Sequence, residues 1–285
     1  MFGKILVIGA LGNVGGEVVK RLLQSGKNVR AADLSVEKIR ARFGNSLEAV
    51  TFDFTDKDTF HSAFEGVESM FLMRPPQISD VKRIIYPALD AAQAAGVKHV
   101  VFLSLIGIEK AKFVPHYKVE EYLVRSGMTW TFLRCSFFMQ NLNTTHRQEI
   151  REKSEIFIPV GNAKTSFIDV SDIAEVAVNA LSITAHQNKA YDLTGPEAID
   201  YWQAAQILSE VLDRKITYRN PSLFHFLMTH LQRGTPFMFA LVMTGLYLSS
   251  RNGMAEQVTV EVERITGQKP KTFRQYVQAH KAEWI

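Results

Sequence analysis

The chain has a single cysteine, Cys135, so no disulfide closes within it and no site of several thiolates can hold a metal ion. It has no run of lysine or arginine. The formal charge of +4 is spread thinly, whereas a nucleic-acid surface needs a basic patch, so no nucleic-acid partner is expected. It has no apolar run long enough to cross a bilayer: the stretch Pro236–Leu248 falls short of the roughly 18–20 residues that a span requires. Nothing at the N-terminus resembles a secretory leader, because Lys4–Ile8 reads at once as a buried strand. No membrane association and a cytoplasmic location are therefore the default expectations. No repeat or low-complexity tract is visible, and 46% hydrophobic with 22% charged residues is the composition of an ordinary globular chain.

What is present is an alternation of short apolar runs with helical patterns. Strands are predicted at Ile5–Ile8, Val29–Ala32, Ala49–Phe52, Ser69–Met73, Val97–Ser104 and Thr129–Arg134. Between them the spacing predicts helices over Val14–Leu23, Val36–Arg42, Asp58–Phe64, Asp80–Ala95 and Tyr117–Ser126, the third capped by Asp56. Continuous apolar strands alternating with helices imply a parallel sheet covered on both faces, and right-handed crossovers make it a doubly wound α/β fold of the Rossmann type. After Cys135 the rhythm changes. Residues 156–167 read as irregular extended chain, followed by a helix over Asp172–Ser182 capped by Ser171 or Asp172. A strand at Ala190–Leu193, a helix over Tyr201–Leu212 and a mostly helical remainder complete the pattern. Residues 1–155 are accordingly read as a dinucleotide-binding domain. Residues 156–285 are read as a mixed segment, part returning to the sheet and part building a smaller, mostly helical C-terminal lobe over the substrate, with no clean linear boundary.

The most specific local signal is Gly9-Ala10-Leu11-Gly12-Asn13-Val14-Gly15, directly after the first strand and opening the first helix. Gly9 permits a tight turn, Gly12 lets the backbone approach a diphosphate, and Gly15 lets the helix pack closely. The uncompensated N–H groups and positive dipole end of the helix complete a diphosphate cradle. Asp33, at the end of the second strand, is placed to accept hydrogen bonds from ribose hydroxyls and to repel a 2′-phosphate, which favours NAD(H) over NADP(H). Arg30 and Lys38 lie near enough to soften that preference, so NADP(H) stays open; Asp33 is alternatively a turn or cap residue before Ser35. Asp53, after the third strand, either meets the adenine edge or is a surface strand end. Arg74, after the fourth strand, either contacts a phosphate or is a solvent-exposed loop residue.

Several further segments bear a resemblance. They are Phe102-Leu103-Ser104, Val119-Glu120-Glu121-Tyr122-Leu123, Thr131 through Asn141, Asp169-Val170-Ser171-Asp172-Ile173-Ala174, Leu193-Thr194-Gly195-Pro196-Glu197 and Pro270-Lys271-Thr272-Phe273. Together with the glycine loop, they resemble the NmrA-like group of atypical short-chain dehydrogenase/reductases across nearly the whole chain. That group includes triphenylmethane reductases, type-2 quinone oxidoreductases, an azoreductase and dinucleotide-sensing regulators. The resemblance departs where Cys135-Ser136 stands in place of the group's usual Pro-Gly.

Members of the wider superfamily use a Ser, a Tyr and a Lys, the Tyr giving a proton to the carbonyl being reduced. Here Ser104 holds the Ser place, but alignment on Glu120-Glu121 puts Lys112 in the Tyr position and His116 in the Lys position. The absence of the Tyr-x-x-x-Lys pair argues against ordinary ketone chemistry but leaves hydride transfer available, because that reaction belongs to the nicotinamide. His116 is then a proton source when protonated, a holder of the nicotinamide ribose, or a histidine with no ligand at a helix N-terminus. Phe137, Phe138 and Asn141 follow the sixth strand, and Phe137 and Phe138 are placed to face a flat acceptor. A second aromatic and Met-rich group, Phe224, Phe226, Phe237, Met238, Phe239, Met243 and Tyr247, reads as further wall or as plain helix core around a pocket or a subunit interface; a homodimer is left open. The expected function is hydride transfer from a nicotinamide to a small quinone-like or other conjugated aromatic substrate, with Ser104 and His116 as catalytic candidates. The alternative is a non-catalytic dinucleotide redox sensor acting through a protein partner.

Overall fold

A computed structural model describes residues 3–112 and 114–285. Six strands, β1 (Lys4–Ile8), β2 (Val29–Asp33), β3 (Glu48–Thr51), β4 (Val67–Leu72), β5 (His99–Leu105) and β6 (Thr129–Cys135), alternate with five helices. These are α1 (Asn13–Gln24), α2 (Val36–Phe43), α3 (Asp58–Phe64), α4 (Val81–Ala94) and α5 (Pro115–Arg125). Local chemistry sets the helix starts. The Ser35 hydroxyl accepts from the Lys38 amide at 3.3 Å at the head of α2, and Asp80 accepts from the Arg83 amide at 3.2 Å at the head of α4. Asp56 accepts from the Asp58 amide at 3.1 Å, but the N-cap of α3 is Lys57, one residue later than expected, and Pro115 occupies the first turn of α5, where its missing N–H is no loss.

The later elements are α6 (Arg147–Lys153), β7 (Glu155–Ile156), α7 (Val170–Ser182), β8 (Lys189–Leu193), α8 (Tyr201–Leu212), β9 (Thr217–Tyr218), α9 (Leu223–Gln232), α10 (Phe237–Arg251), α11 (Glu261–Thr266) and α12 (Phe273–Ala279). The main sheet runs β3-β2-β1-β4-β5-β6-β8, with parallel pairing from β3 through β6. This is the doubly wound fold expected. Side chains alternate across it: Leu6, Ile8, Val100, Phe102 and Phe132 share a core with Phe64 of α3, Leu89 of α4 and Val119 of α5, while α1 packs on α7. Strand order reverses between β1 and β4, so the loops leaving these two neighbours flank the crevice where such sheets receive ligands.

The chain divides into two compact units. The first comprises residues 1–135 and 170–192, the second residues 136–169 and 193–285. The split therefore falls at Cys135/Ser136, not at 155/156, and the first unit reclaims a later segment. The reason is in the pattern of burial: α7 contributes Ile173, Ala174 and Ala177 to the sheet's covering layer, and β8 extends the sheet itself. α7 also begins at Val170, which places Ser171 and Asp172 inside its first turn instead of at its cap.

The second unit has its own core, in which Ile156, Phe167, Tyr201, Phe226, Tyr276 and Trp284 are buried together. β7 and β9 pair in parallel within it, and the Trp284 indole N–H donates to the Leu142 carbonyl at 3.0 Å. Among the described residues, no helix is long and apolar enough to cross a membrane.

Candidate functional site

The glycine loop leaves β1 in a conformation that its residues alone make accessible. Gly9 has φ of +77°, and the loop folds back so that the Gly9 and Ala10 amides donate to the Ala32 carbonyl at 3.0 and 3.2 Å. A Cβ on Gly15 would lie 2.2 Å from the Gly9 carbonyl oxygen, a backbone atom that cannot step aside. Gly15 thus lets the first turn of α1 settle directly on the loop. Gly12 is the N-cap of α1 and brings no side chain to cap it, so Asn13 and Val14 begin a helix whose first-turn amides are left for another acceptor. The cradle that a Cβ would fill and the helix end without a side-chain cap fit a diphosphate.

Asp33 organises this loop. One carboxylate oxygen accepts the Leu11 amide at 2.9 Å and the other accepts the Leu34 amide at 2.8 Å, while Ser35 is the cap of α2. Asp33 is therefore a turn-holding residue as well as a half-buried carboxylate at the end of β2. Arg30 does not modulate it. The Arg30 side chain is buried, pairs with Glu48 at 2.6 Å and donates to the carbonyls of Ser62, Ala63 and Glu65, so it ties β2 to β3 and to the end of α3. A different cation stands beside the loop: Arg42 of α2 donates to the Leu11 carbonyl at 2.8 Å, with its guanidinium against Gly16. Sequence spacing gave no reason to single out Arg42, because it meets Leu11 only through the packing of α2 beside α1.

Asp53 shapes its own turn, one carboxylate oxygen accepting from the Thr55 amide at 2.8 Å and from the Thr55 hydroxyl at 2.7 Å. Arg74, one of whose two readings was an exposed loop residue, is buried, with 9% of its surface exposed. It donates to the carbonyls of Pro75, Pro76 and Ile78 and so curls the loop after β4 around itself. Burial lowers its pKa to about 10, which still leaves it charged at neutral pH.

His116 lies in the first turn of α5, as buried as Arg74, with its ring 5.9 Å from that of Phe102. Burial holds its pKa well below the ordinary histidine range, and the nearby Arg74 charge pushes in the same direction. Burial therefore favours the neutral ring, which weighs against the reading of His116 as a proton source. Its Nδ1 is buried without a partner, as is Nε of Arg74.

Ser104 is not joined to His116 by any hydrogen bond in the structure. Its hydroxyl donates to Glu120 at 2.5 Å, and the same carboxylate pairs with Arg134 at 2.7 Å, closing a network between β5, α5 and β6. With 1% of its surface exposed, Ser104 is held within this network, its hydroxyl turned to Glu120. Lys112, in the Tyr position of the superfamily, is exposed.

Phe137, Phe138 and Asn141 belong to the second unit. Phe137 stacks on Tyr247 with ring centroids 5.5 Å apart, Phe138 bridges through its backbone to Ile168, and the Asn141 carbonyl accepts from the His146 amide at 2.9 Å. Phe226, Met243 and Tyr247 are core residues, whereas Phe224, Phe237 and Met238 are exposed. This unit also holds a polar cluster that sequence reading missed. The Tyr247 hydroxyl and Nε2 of His146 are 2.5 Å apart, Arg233 pairs with buried Glu149, and Nε2 of His230 has no partner. A hollow of about 410 Å³ beside it is lined by Thr145, His230, Arg233, Thr235, Phe239 and Met243 among others. Among the described residues, no group of three or more His, Cys, Asp or Glu could hold a metal ion.

Comparison with known proteins gives a consistent result. The sequence profile of the NmrA-like family matches residues 1–277. The NAD(P)H azoreductase of Xenophilus azovorans is 32% identical over 98% of this chain and 98% of its own. Among solved structures, the NADPH-dependent quinone oxidoreductase of Escherichia coli, complexed with NADPH, superposes with a TM-score of 0.86 at 23% identity, covering 96% of this chain and 99% of that one. The Citrobacter sp. triphenylmethane reductase complexed with NADP(H) gives 0.83 at 23% identity, covering 97% and 99%.

Proposed function

The chain belongs to the NmrA-like family, and from that membership and the geometry of its glycine loop we propose that it is an NAD(P)H-dependent reductase of conjugated aromatic acceptors. The observation that carries the proposal is the seat of Gly15 on the Gly9 carbonyl beneath a helix end that no side chain caps. In this reading, Gly9, Leu11, Gly12, Asn13, Val14 and Gly15 hold the diphosphate of the coenzyme, Asp33 takes the adenosine ribose hydroxyls, and Asp53 borders the adenine. The coenzyme supplies hydride chemistry when bound. The azoreductase relative, named for NAD(P)H and an azo acceptor, supports both the coenzyme and the class of acceptor.

The finer reading is a preference for NADH. A carboxylate at Asp33 disfavours a 2′-phosphate, while Arg42 beside the loop keeps NADPH acceptable. For the acceptor, the reading retains Phe137, Phe138 and Asn141, which Phe138→Ala tests through KM. The neutral His116 donates or accepts a hydrogen bond but brings no ionic proton, so the proton that completes reduction comes from water. Turnover of NADH with a panel of quinones and azo dyes tests the proposal, with loss of reduced-nicotinamide absorbance expected for at least one acceptor. Coenzyme binding with no turnover of any acceptor would favour the second reading, a redox sensor. The engagement of Ser104 by Glu120 is the observation behind that alternative.

A further inference from the structure

In the first unit, two buried nitrogens from neighbouring charged or polar groups lack hydrogen-bond partners: Nε of Arg74 and Nδ1 of His116. Both residues are more than nine-tenths buried. They leave adjacent parts of the sheet, Arg74 from the end of β4 and His116 from the helix that follows β5, and the Arg74 charge is felt at the His116 ring. His116 sits within the first turn of an 11-residue helix, whose positive dipole end adds to the same corner. No carboxylate among the described residues pairs with Arg74; its bonds are to backbone carbonyls alone. A buried guanidinium without a counter-anion is unfavourable unless the site receives an anion at work.

We propose that Arg74 and His116 form an oxyanion corner that binds the reduced, phenolate-type form of the acceptor. The inference rests on the reductase reading and deepens it. A quinone that takes up a hydride becomes a hydroquinone monoanion, with the nicotinamide coenzyme oxidised in the exchange, and one proton from water later gives the neutral hydroquinone. The charge to be stabilised therefore arises on an oxygen of the acceptor. A fixed cation with a neutral imidazole N–H meets that charge without a proton transfer in the same step. This explains how a chain without the Tyr-x-x-x-Lys pair manages the reduction, and it makes Arg74 the acceptor's counter-ion instead of a coenzyme phosphate contact.

The test uses 4-nitrophenol, whose colour reports its ionisation, with the full-length protein in the presence of oxidised coenzyme at a pH below the solution pKa of the phenol. The bound probe is expected to show the phenolate band. Arg74→Gln is expected to weaken probe binding about tenfold or more, the scale of one lost charge-assisted contact, while coenzyme affinity measured by intrinsic fluorescence changes less than about twofold. Arg74→Lys is expected to restore much of the band. Should Arg74→Gln fail to fold, His116→Ala carries the test through the same two readouts. A probe bound only in its neutral form would overturn the proposal. So would variants that weaken the coenzyme and leave the probe untouched, which would give the corner to the coenzyme. Absence of coenzyme binding by the unmodified protein would instead sink the underlying reductase reading, a distinguishable result.

Discussion

The Cα of Gly15 faces the carbonyl oxygen of Gly9 so closely that a methyl group there would stand 2.2 Å from it. Gly15→Ala must therefore push α1 away from the loop or twist the loop itself. Overpacking of this kind costs about 1–3 kcal/mol. A lower melting temperature is expected together with a loss of coenzyme affinity, read by thermal unfolding with and without NADH. Full affinity in a Gly15→Ala protein would mean that this contact does not shape the coenzyme site.

Asp33 connects two functions, since the carboxylate that holds the Leu11 and Leu34 amides is also the group opposed to a 2′-phosphate. Asp33→Asn removes the charge and keeps an acceptor for one amide. The ratio of NADPH to NADH affinity is expected to rise by about tenfold, equivalent to ~1.4 kcal/mol. Arg42→Ala is expected to move the ratio the other way. Titration of the two coenzymes against both variants checks this pair, and an unchanged ratio in both would remove the specificity assignment.

The Ser104 prediction separates catalysis from architecture. Loss of its hydroxyl leaves the buried Glu120 with Arg134 but without one donor, which costs about 1–3 kcal/mol of stability. Ser104→Ala is expected to unfold at lower denaturant concentration with turnover per folded molecule close to that of the parent. A fall in kcat of a hundredfold or more, with stability intact, would return Ser104 to the reaction; about that much is typical of losing a general acid or base.

Acid sensitivity follows from two buried histidines. Burial lowers His99 and His146 to pKa values of about 4 in the fold. In the unfolded chain both titrate near the ordinary histidine value, so below it the unfolded state binds more protons. The contribution of each ring is fully present above about pH 6.5 and is lost as pH falls toward 4, roughly 2 kcal/mol per histidine by pH 5. Denaturation midpoints at pH 7 and pH 5 should differ accordingly, and His99→Gln should flatten the difference. A midpoint unchanged across that range would show that these rings are not held neutral.

How far the sequence went depended on distance along the chain. The glycine loop and the β-α alternation were legible because each is written within a few residues. The buried partners were not. Arg30 looked free until its Glu48, 18 residues on, came alongside through the pairing of β2 with β3. Ser104 looked catalytic because its place in the chain matched a catalytic serine, and only the docking of α5 on β5 shows that Glu120 holds the hydroxyl. The charge state of His116 depends on burial, which no local pattern encodes. The meeting of His146 with Tyr247, 101 residues apart, belongs to the second unit's tertiary packing and left no trace in spacing. The division at Cys135 was blurred for the same reason, since α7 and β8 rejoin the first unit after an excursion.

The central claim is that the loop between β1 and α1 receives a nicotinamide dinucleotide. Its most direct measurement is an equilibrium titration of the unmodified protein with NADH and with NADPH, followed by tryptophan fluorescence or calorimetry. Saturable binding of both coenzymes with NADH the tighter is the predicted result. No saturable binding of either would contradict the reductase and the sensor accounts alike.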